Sequence, residues 1–163
     1  MVNLVIMRHG EAQPQYSSDS ERQLTQAGIR EVQQMAGWLQ HHYSAFDCIY
    51  ASPYRRTQQT AALIAEAGLA LTPIQTNTDL VPEGNAQLVL DFINLQLTEQ
   101  PEQRILLVSH MPLVSFLVEA FTRQGQTPIF DTAGVACLHY KPDQGVLLEY
   151  ASPPLLQLVQ HSV

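Results

Sequence analysis

Three short segments hold residues whose types and spacing suit chemistry on an anion: Arg8-His9-Gly10, Ser52-Pro53-Tyr54-Arg55-Arg56-Thr57-Gln58-Gln59-Thr60, and Ser109-His110-Met111-Pro112. A neutral imidazole is a nucleophile, and guanidinium forks match phosphate or carboxylate oxygens better than an ammonium does. His9 beside Arg8 is therefore a candidate nucleophile next to an anion-binding cation. Gly10 lets the backbone turn sharply and approach a ligand, with amide N–H groups free for its oxygens. Arg55 and Arg56 fall in the first turns of a helix, where the dipole and free N–H groups favour an anion, and adjacent helical positions diverge by about 100°, so the two do not share one role. His110 sits where another helix begins; there its cationic form is disfavoured, and it would act as a donor to a bound oxygen. Each segment also has a plainer reading, as a histidine satisfied in a strand-end turn or as solvated arginines.

The elements around these segments are those that would bring them together. The continuous apolar run 4–7 reads as a strand buried on both faces that stops at Arg8. Residues 11–24 are polar, with Gln13-Pro14 and Ser17-Ser18-Asp19-Ser20, and read as a loop. From Thr25, a capping hydroxyl, the apolar face Ile29, Val32, Met35, Ala36, Leu39 predicts a helix to about His42. A second strand is expected over 46–51, then a helix with Pro53 at its first position and a stop at Gly68. Residues 71–76 read as a third strand near an edge, because of Pro73, followed by a helix over 86–98. A fourth strand over 104–109 leads to a helix over 112–123, and 134–140 with 146–151 form an antiparallel hairpin. The stretch after Pro153-Pro154 has no assignment.

Four alternations of strand and helix predict an α/β fold: a mostly parallel central sheet with helices on both faces, closed by the hairpin. In such sheets sites form outside the carboxyl ends of the strands, and all three segments fall at such ends.

With 163 residues and 45% hydrophobic content, the chain fits one domain spanning 1–163. Fifteen acidic against eight basic residues give a net charge of −7, which argues against nucleic acid or anionic membrane as a partner. Seven of the basic residues are arginines, and Lys141 is the one lysine. Cys48 and Cys137 lack C-x-x-C spacing and read as small core residues in a reducing compartment. The first residues show no basic leader region and no apolar run approaches ~18 residues, so a soluble, cytoplasmic protein is expected. No carboxylate cluster is spaced for magnesium or zinc, and the arginines supply the charge that a metal would.

Taken together, Arg8-His9-Gly10 near the N-terminus, the pattern Ser52-x-x-x-Arg56-x-x-Gln59-Thr60 and the late Ser109-His110 resemble the histidine phosphatase superfamily, the phosphoglycerate mutase-like fold, over nearly the whole chain. The short length, Arg22-Gln23-Leu24-Thr25-x-x-Gly28 and Ser109-His110-Met111-Pro112-Leu113-Val114 are most similar to the bacterial phosphohistidine phosphatases within it. The resemblance implies a three-layer sandwich and a hydrolase without metal or other cofactor, and it selects Arg56 over Arg55. His9 would take the phosphoryl group while Arg8, Arg56 and His110 hold its oxygens, with Gly10, Ser109 and Arg22 as further substrate contacts. Family members usually supply a general acid from the loop after the third strand, where Glu83 is the local candidate apart from Asp79. The implied substrate is a phosphohistidine-containing protein, either the phosphotransfer domain of a sensor kinase or a phosphotransferase-system carrier. A phosphatase of small phosphomonoesters and a non-catalytic phosphoprotein-binding module remain as alternatives.

Overall fold

The computed structural model describes residues 1–14, 18–123 and 128–153. Ser17 of the polar loop, and Pro154 with the stretch beyond it, lie outside the described residues. The chain runs β1 (Leu4–Arg8), α1 (Gln26–His42), β2 (Cys48–Ala51), α2 (Arg55–Ile64), β3 (Gln75–Thr76), α3 (Ala86–Glu99), β4 (Ile105–Ser109), α4 (Leu113–Thr122), β5 (Val135–Lys141) and β6 (Gln144–Ala151), with single 3-10 turns at Asp19–Glu21 and Thr78–Leu80.

One six-stranded sheet has the order β3-β2-β4-β1-β5-β6. The pairings β2–β3, β2–β4 and β1–β4 are parallel, whereas β1–β5 and β5–β6 are antiparallel. Its two faces follow from strand alternation. Val5, Met7, Ile49, Ala51, Leu106 and Val108 pack on one side with Val32, Met35, Leu39, Ala61 and Ile64 of α1 and α2. Leu4, Ile6, Cys48, Tyr50, Ile105 and Leu107 pack on the other with Val89, Ile93, Leu117 and Phe121 of α3 and α4. This is the expected three-layer α/β architecture. Both faces of β1, β2 and β4 are covered, which is why these strands read as unbroken apolar runs. Each large apolar side chain so buried contributes about 1.5–3 kcal/mol.

Local signals set most of the boundaries. Thr25 caps α1 by accepting the Gly28 N–H at 2.9 Å, and Gly68 turns the chain after α2 at φ 84°. Three boundaries depart from expectation. Pro53 precedes α2 instead of opening it, because the Ser52 hydroxyl accepts the Tyr54 N–H at 3.3 Å and forms a separate turn before the helix. The strand expected over 71–76 shrinks to Gln75–Thr76 at the sheet edge, with Leu71 exposed. Phe46 makes only a bridge to Ala70, and β2 proper starts at Cys48.

Candidate active site

The carboxyl ends of β1, β2 and β4 lie side by side, and their register puts Arg8 opposite Ser109. His9 follows β1 and is held on both sides: its N–H donates to the Ser109 carbonyl at 3.1 Å, and its carbonyl accepts the Ala133 N–H at 2.9 Å. The backbone of a 7% exposed histidine is thus fixed between β4 and the segment entering β5.

Gly10 serves a different purpose from the one expected. Its N–H is not free for a ligand but donates to the Thr60 hydroxyl at 3.2 Å. A Cβ there would lie 2.8 Å from both the Gly28 carbonyl oxygen and Val32 Cγ2, so the glycine lets the end of β1 seat against α1. Gly28 answers it, since a Cβ at that position would overlap the Glu11 carbonyl.

The His9 ring has a defined tautomer. Nδ1 is 2.6 Å from the Gly10 carbonyl oxygen, which can only accept, so Nδ1 carries the proton and Nε2 keeps its lone pair. Arg56 Nε donates to that Nε2 at 3.3 Å. Burial, and then the positive charges of Arg56, Arg8 and Arg22, lower the pKa of His9 to about 4 against the partial opposition of the Gly10 hydrogen bond, so the ring is neutral at pH 7.

Arg56 is buried to 4% exposure, whereas Arg55 is exposed, so the helix directs the expected arginine inward. Its terminal nitrogens meet Asp19: Nη1 donates to the main-chain carbonyl at 2.7 Å and Nη2 to Oδ2 at 3.1 Å. Arg22 Nη1 pairs with Asp19 Oδ1 at 2.9 Å, while Arg22 Nε donates to the Gln13 carbonyl at 2.6 Å. The two guanidinium groups hold the Asp19 carboxyl below its usual pKa, Arg22 first by its hydrogen bond and Arg56 next. Arg22 thus joins the cluster through a carboxylate that the sequence reading left in the loop. The Asp19-x-x-Arg22 spacing is the signal that points to it.

His110 is fully buried, with its ring 5.2 Å from that of His9 and 5.0 Å from that of Tyr54. Its Nε2 lies 2.9 Å from the Ser52 hydroxyl, and its Nδ1, although buried, has no hydrogen-bond partner. Burial, reinforced by His9 and Arg56, lowers its pKa to about 2, so it too is neutral. The Ser52 hydroxyl already accepts the Tyr54 N–H and has its own proton to give Nε2, an arrangement that would place the ring proton on Nδ1.

Arg8 donates from Nη1 to the Phe130 carbonyl at 2.8 Å, and its Nε is likewise buried without a partner. Burial lowers the Arg8 pKa, and Tyr150, Asp131 and Glu31 act against that shift. Phe130 and Asp131 come from a segment with no motif of its own and escaped the sequence reading. Two expected residues sit outside the cluster. The Ser109 hydroxyl is committed to the Leu80 carbonyl at 2.6 Å, so it anchors the loop before α3 and is not available to a substrate. Glu83 is exposed in that loop, and no hydrogen bond or ion pair joins it to His9, Arg8, Arg56 or His110. Among the described residues no group of three or more His, Cys, Asp or Glu side chains is gathered as a metal site, and no helix is long and apolar enough to cross a membrane.

The arrangement comprises a neutral imidazole nitrogen with an available lone pair, one buried guanidinium group (Arg56), one half-buried (Arg8), and a second neutral histidine with an unpartnered nitrogen. It can bind a tetrahedral oxyanion next to a nucleophile. Comparison with known proteins agrees in kind. The family model of the histidine phosphatase superfamily (branch 1) matches residues 4–82. A phosphohistidine phosphatase SixA homolog of Haemophilus influenzae is 30% identical over 96% of this chain and 99% of its own length. Phosphohistidine phosphatase SixA of Escherichia coli is 31% identical over 83% of each. The solved structure of the protein histidine phosphatase SixA complexed with tungstate superposes with a TM-score of 0.88 at 29% identity, over 94% of this chain and 98% of that one.

Proposed function

The chain belongs to the histidine phosphatase superfamily, and on that premise we propose that it removes phosphate from a phosphorylated histidine of a protein partner through a phospho-His9 intermediate. The observation that carries the chemistry is the Nδ1–H bond to the Gly10 carbonyl, which leaves the Nε2 lone pair beside Arg56.

In the first step His9 Nε2 attacks phosphorus in line. The N–P bond of the substrate, whose ring carries a proton on its other nitrogen, breaks, and its electron pair stays on the released neutral imidazole. Arg56 Nε–H turns from Nε2 to a phosphoryl oxygen, and Arg8 and the Nδ1–H of His110 supply further donors to the equatorial oxygens. The attacking ring still carries its Nδ1 proton and gains positive charge, which the Gly10 carbonyl stabilises. The charged ring is then a good leaving group: water attacks the phospho-His9 intermediate, the P–Nε2 bond breaks, its electron pair returns to Nε2, and the water's oxygen and protons leave with the phosphate.

The substrate class follows from the leaving group. An alkoxide needs a positioned acid, and Glu83 is exposed and unconnected to the cluster. An imidazole nitrogen needs less help. Relatives at 30% and 31% identity carry the phosphohistidine phosphatase name, and the SixA structure with tungstate shows that such a protein binds a tetrahedral oxyanion. The partners of choice are a phosphotransfer domain of a sensor kinase and a phosphotransferase-system carrier, acted on without a metal.

The test is a panel of phosphohistidine proteins and sugar phosphates, run with EDTA present. Expected are rapid loss of phosphate from the proteins, slow release from the sugars, and a labelled phosphoryl group trapped on His9 and absent from His9→Ala. Preference for sugar phosphates would select the small-molecule reading, and loss of activity restored by magnesium would overturn the metal-free mechanism.

A further inference from the structure

Arg56 has five N–H donors, and where each one goes matters. Its Nε points at His9 Nε2. Both terminal nitrogens are taken by one residue, Nη1 by the Asp19 carbonyl at 2.7 Å and Nη2 by Asp19 Oδ2 at 3.1 Å. Two acceptors from a single residue, bridging the two terminal nitrogens, cover the end of the guanidinium fork. What remains is the side edge, the Nε–H with a second N–H of a terminal nitrogen, and that edge faces the nucleophile. A long side chain with four rotatable bonds keeps such an orientation only if its far end is anchored. A guanidinium side chain only 5% exposed also needs a counter-charge, and Asp19, 41% exposed, supplies it from the surface side. Asp19 is held in turn by Arg22, whose Nη1 takes the other carboxylate oxygen at 2.9 Å and whose main-chain N–H bonds the same Asp19 carbonyl at 3.3 Å.

We infer that Asp19 is a positioning residue for phosphoryl transfer: it anchors the end of the Arg56 guanidinium so that the side edge is presented to the phosphoryl group on His9, and Arg22 acts through Asp19. The inference rests on His9 and Arg56 working as proposed above, but it concerns which residue sets their geometry.

The experiment uses the full chain with Asp19→Ala and Asp19→Asn, alone and in an Arg56→Ala background. In wild type the Arg56 Nε–H should give a distinct, slowly exchanging 15N NMR signal, which is expected to broaden or vanish in Asp19→Ala while the thermal midpoint stays within a few degrees. Turnover of a phosphohistidine protein should fall by about tenfold to a hundredfold, mostly in kcat, the scale of a misplaced reacting group. Asp19→Asn keeps an acceptor oxygen and the backbone contact, and should retain more activity than Asp19→Ala. In the Arg56→Ala background, loss of Asp19 should change kcat by less than about twofold. An unchanged Nε–H signal and kcat in Asp19→Ala, or an equal loss in the Arg56→Ala background, would overturn the inference. If the wild type fails on every phosphohistidine protein, the substrate reading falls, while the NMR signal still decides the role of Asp19.

Discussion

Arg56 Nε donates to His9 Nε2 across 3.3 Å, so the residue that would bind a phosphoryl oxygen also marks where the nucleophile's lone pair points. A lysine cannot reproduce this edge, because an ammonium is a point charge without a planar fork. Arg56→Lys is expected to weaken tungstate binding by at least about tenfold and to cut phospho-His9 formation by about 10²–10³-fold. Arg55→Ala should leave tungstate affinity unchanged, because that side chain is exposed. Calorimetric titration of the two variants checks the pair.

Ser52 lies 58 residues from His110 in sequence and 2.9 Å from its Nε2. Removing the hydroxyl frees the ring to carry its proton on either nitrogen, and the donor at Nδ1 is lost for part of the population. Ser52→Ala should lower kcat by about tenfold, the usual size of one lost charge-assisted contact. The ring-nitrogen NMR shifts of His110 should move toward a mixture of tautomers. Unaltered shifts would place tautomer control elsewhere.

Acid should destabilise the protein well above the carboxylate range. The pKa of His9 is lowered to about 4 and that of His110 to about 2, whereas both return to about 6.5 when the chain unfolds. Between pH 8 and pH 5 the unfolded state therefore binds more protons than the native state, and stability rises with pH and is lost on acidification. The loss is on the order of 2 kcal/mol for each histidine at pH 5. Urea unfolding at pH 8 and pH 5 measures it, and His110→Asn should remove about half of the difference. The same shift places the acid limb of kcat/KM near pH 4 instead of near 6.5.

Two glycines of α1 should respond to alanine with opposite signs. At Gly37 an added Cβ meets nothing within 4 Å, and the helix gains about 0.5–1 kcal/mol. At Gly28 the same methyl overlaps backbone atoms of Glu11, which cannot move without disturbing the His9 segment, and the cost of about 1–3 kcal/mol outweighs the propensity gain. Thermal melts of the two variants should therefore shift in opposite directions.

Much of the molecule is legible from residue order alone, because the signals concerned are local. The apolar run Leu4 to Met7, the 3–4 spacing from Ile29 to Leu39 and the cap at Thr25 depend only on near neighbours. The apolar runs 4–7, 46–51 and 104–109 are equally local, and the rule that sites form at the carboxyl ends of parallel strands then gathers Arg8, His9, Arg56 and His110 on one rim.

Tertiary structure decided the rest, because it turns on distances between groups far apart in sequence and on directions that no motif encodes. Asp19 and Arg56 are 37 residues apart, and only folding showed that one carboxylate spans Arg56 and Arg22. Gly10 looked like space for a ligand and proved to be space for α1. Ser109 looked like a substrate contact, but its hydroxyl is spent on Leu80. The tautomer of His9 hangs on a carbonyl one residue away, yet that carbonyl's direction is set by how β1, β4 and α1 pack around it. The types of group in the site can be read from composition and motif, whereas their hydrogen-bond assignments are a property of three-dimensional packing.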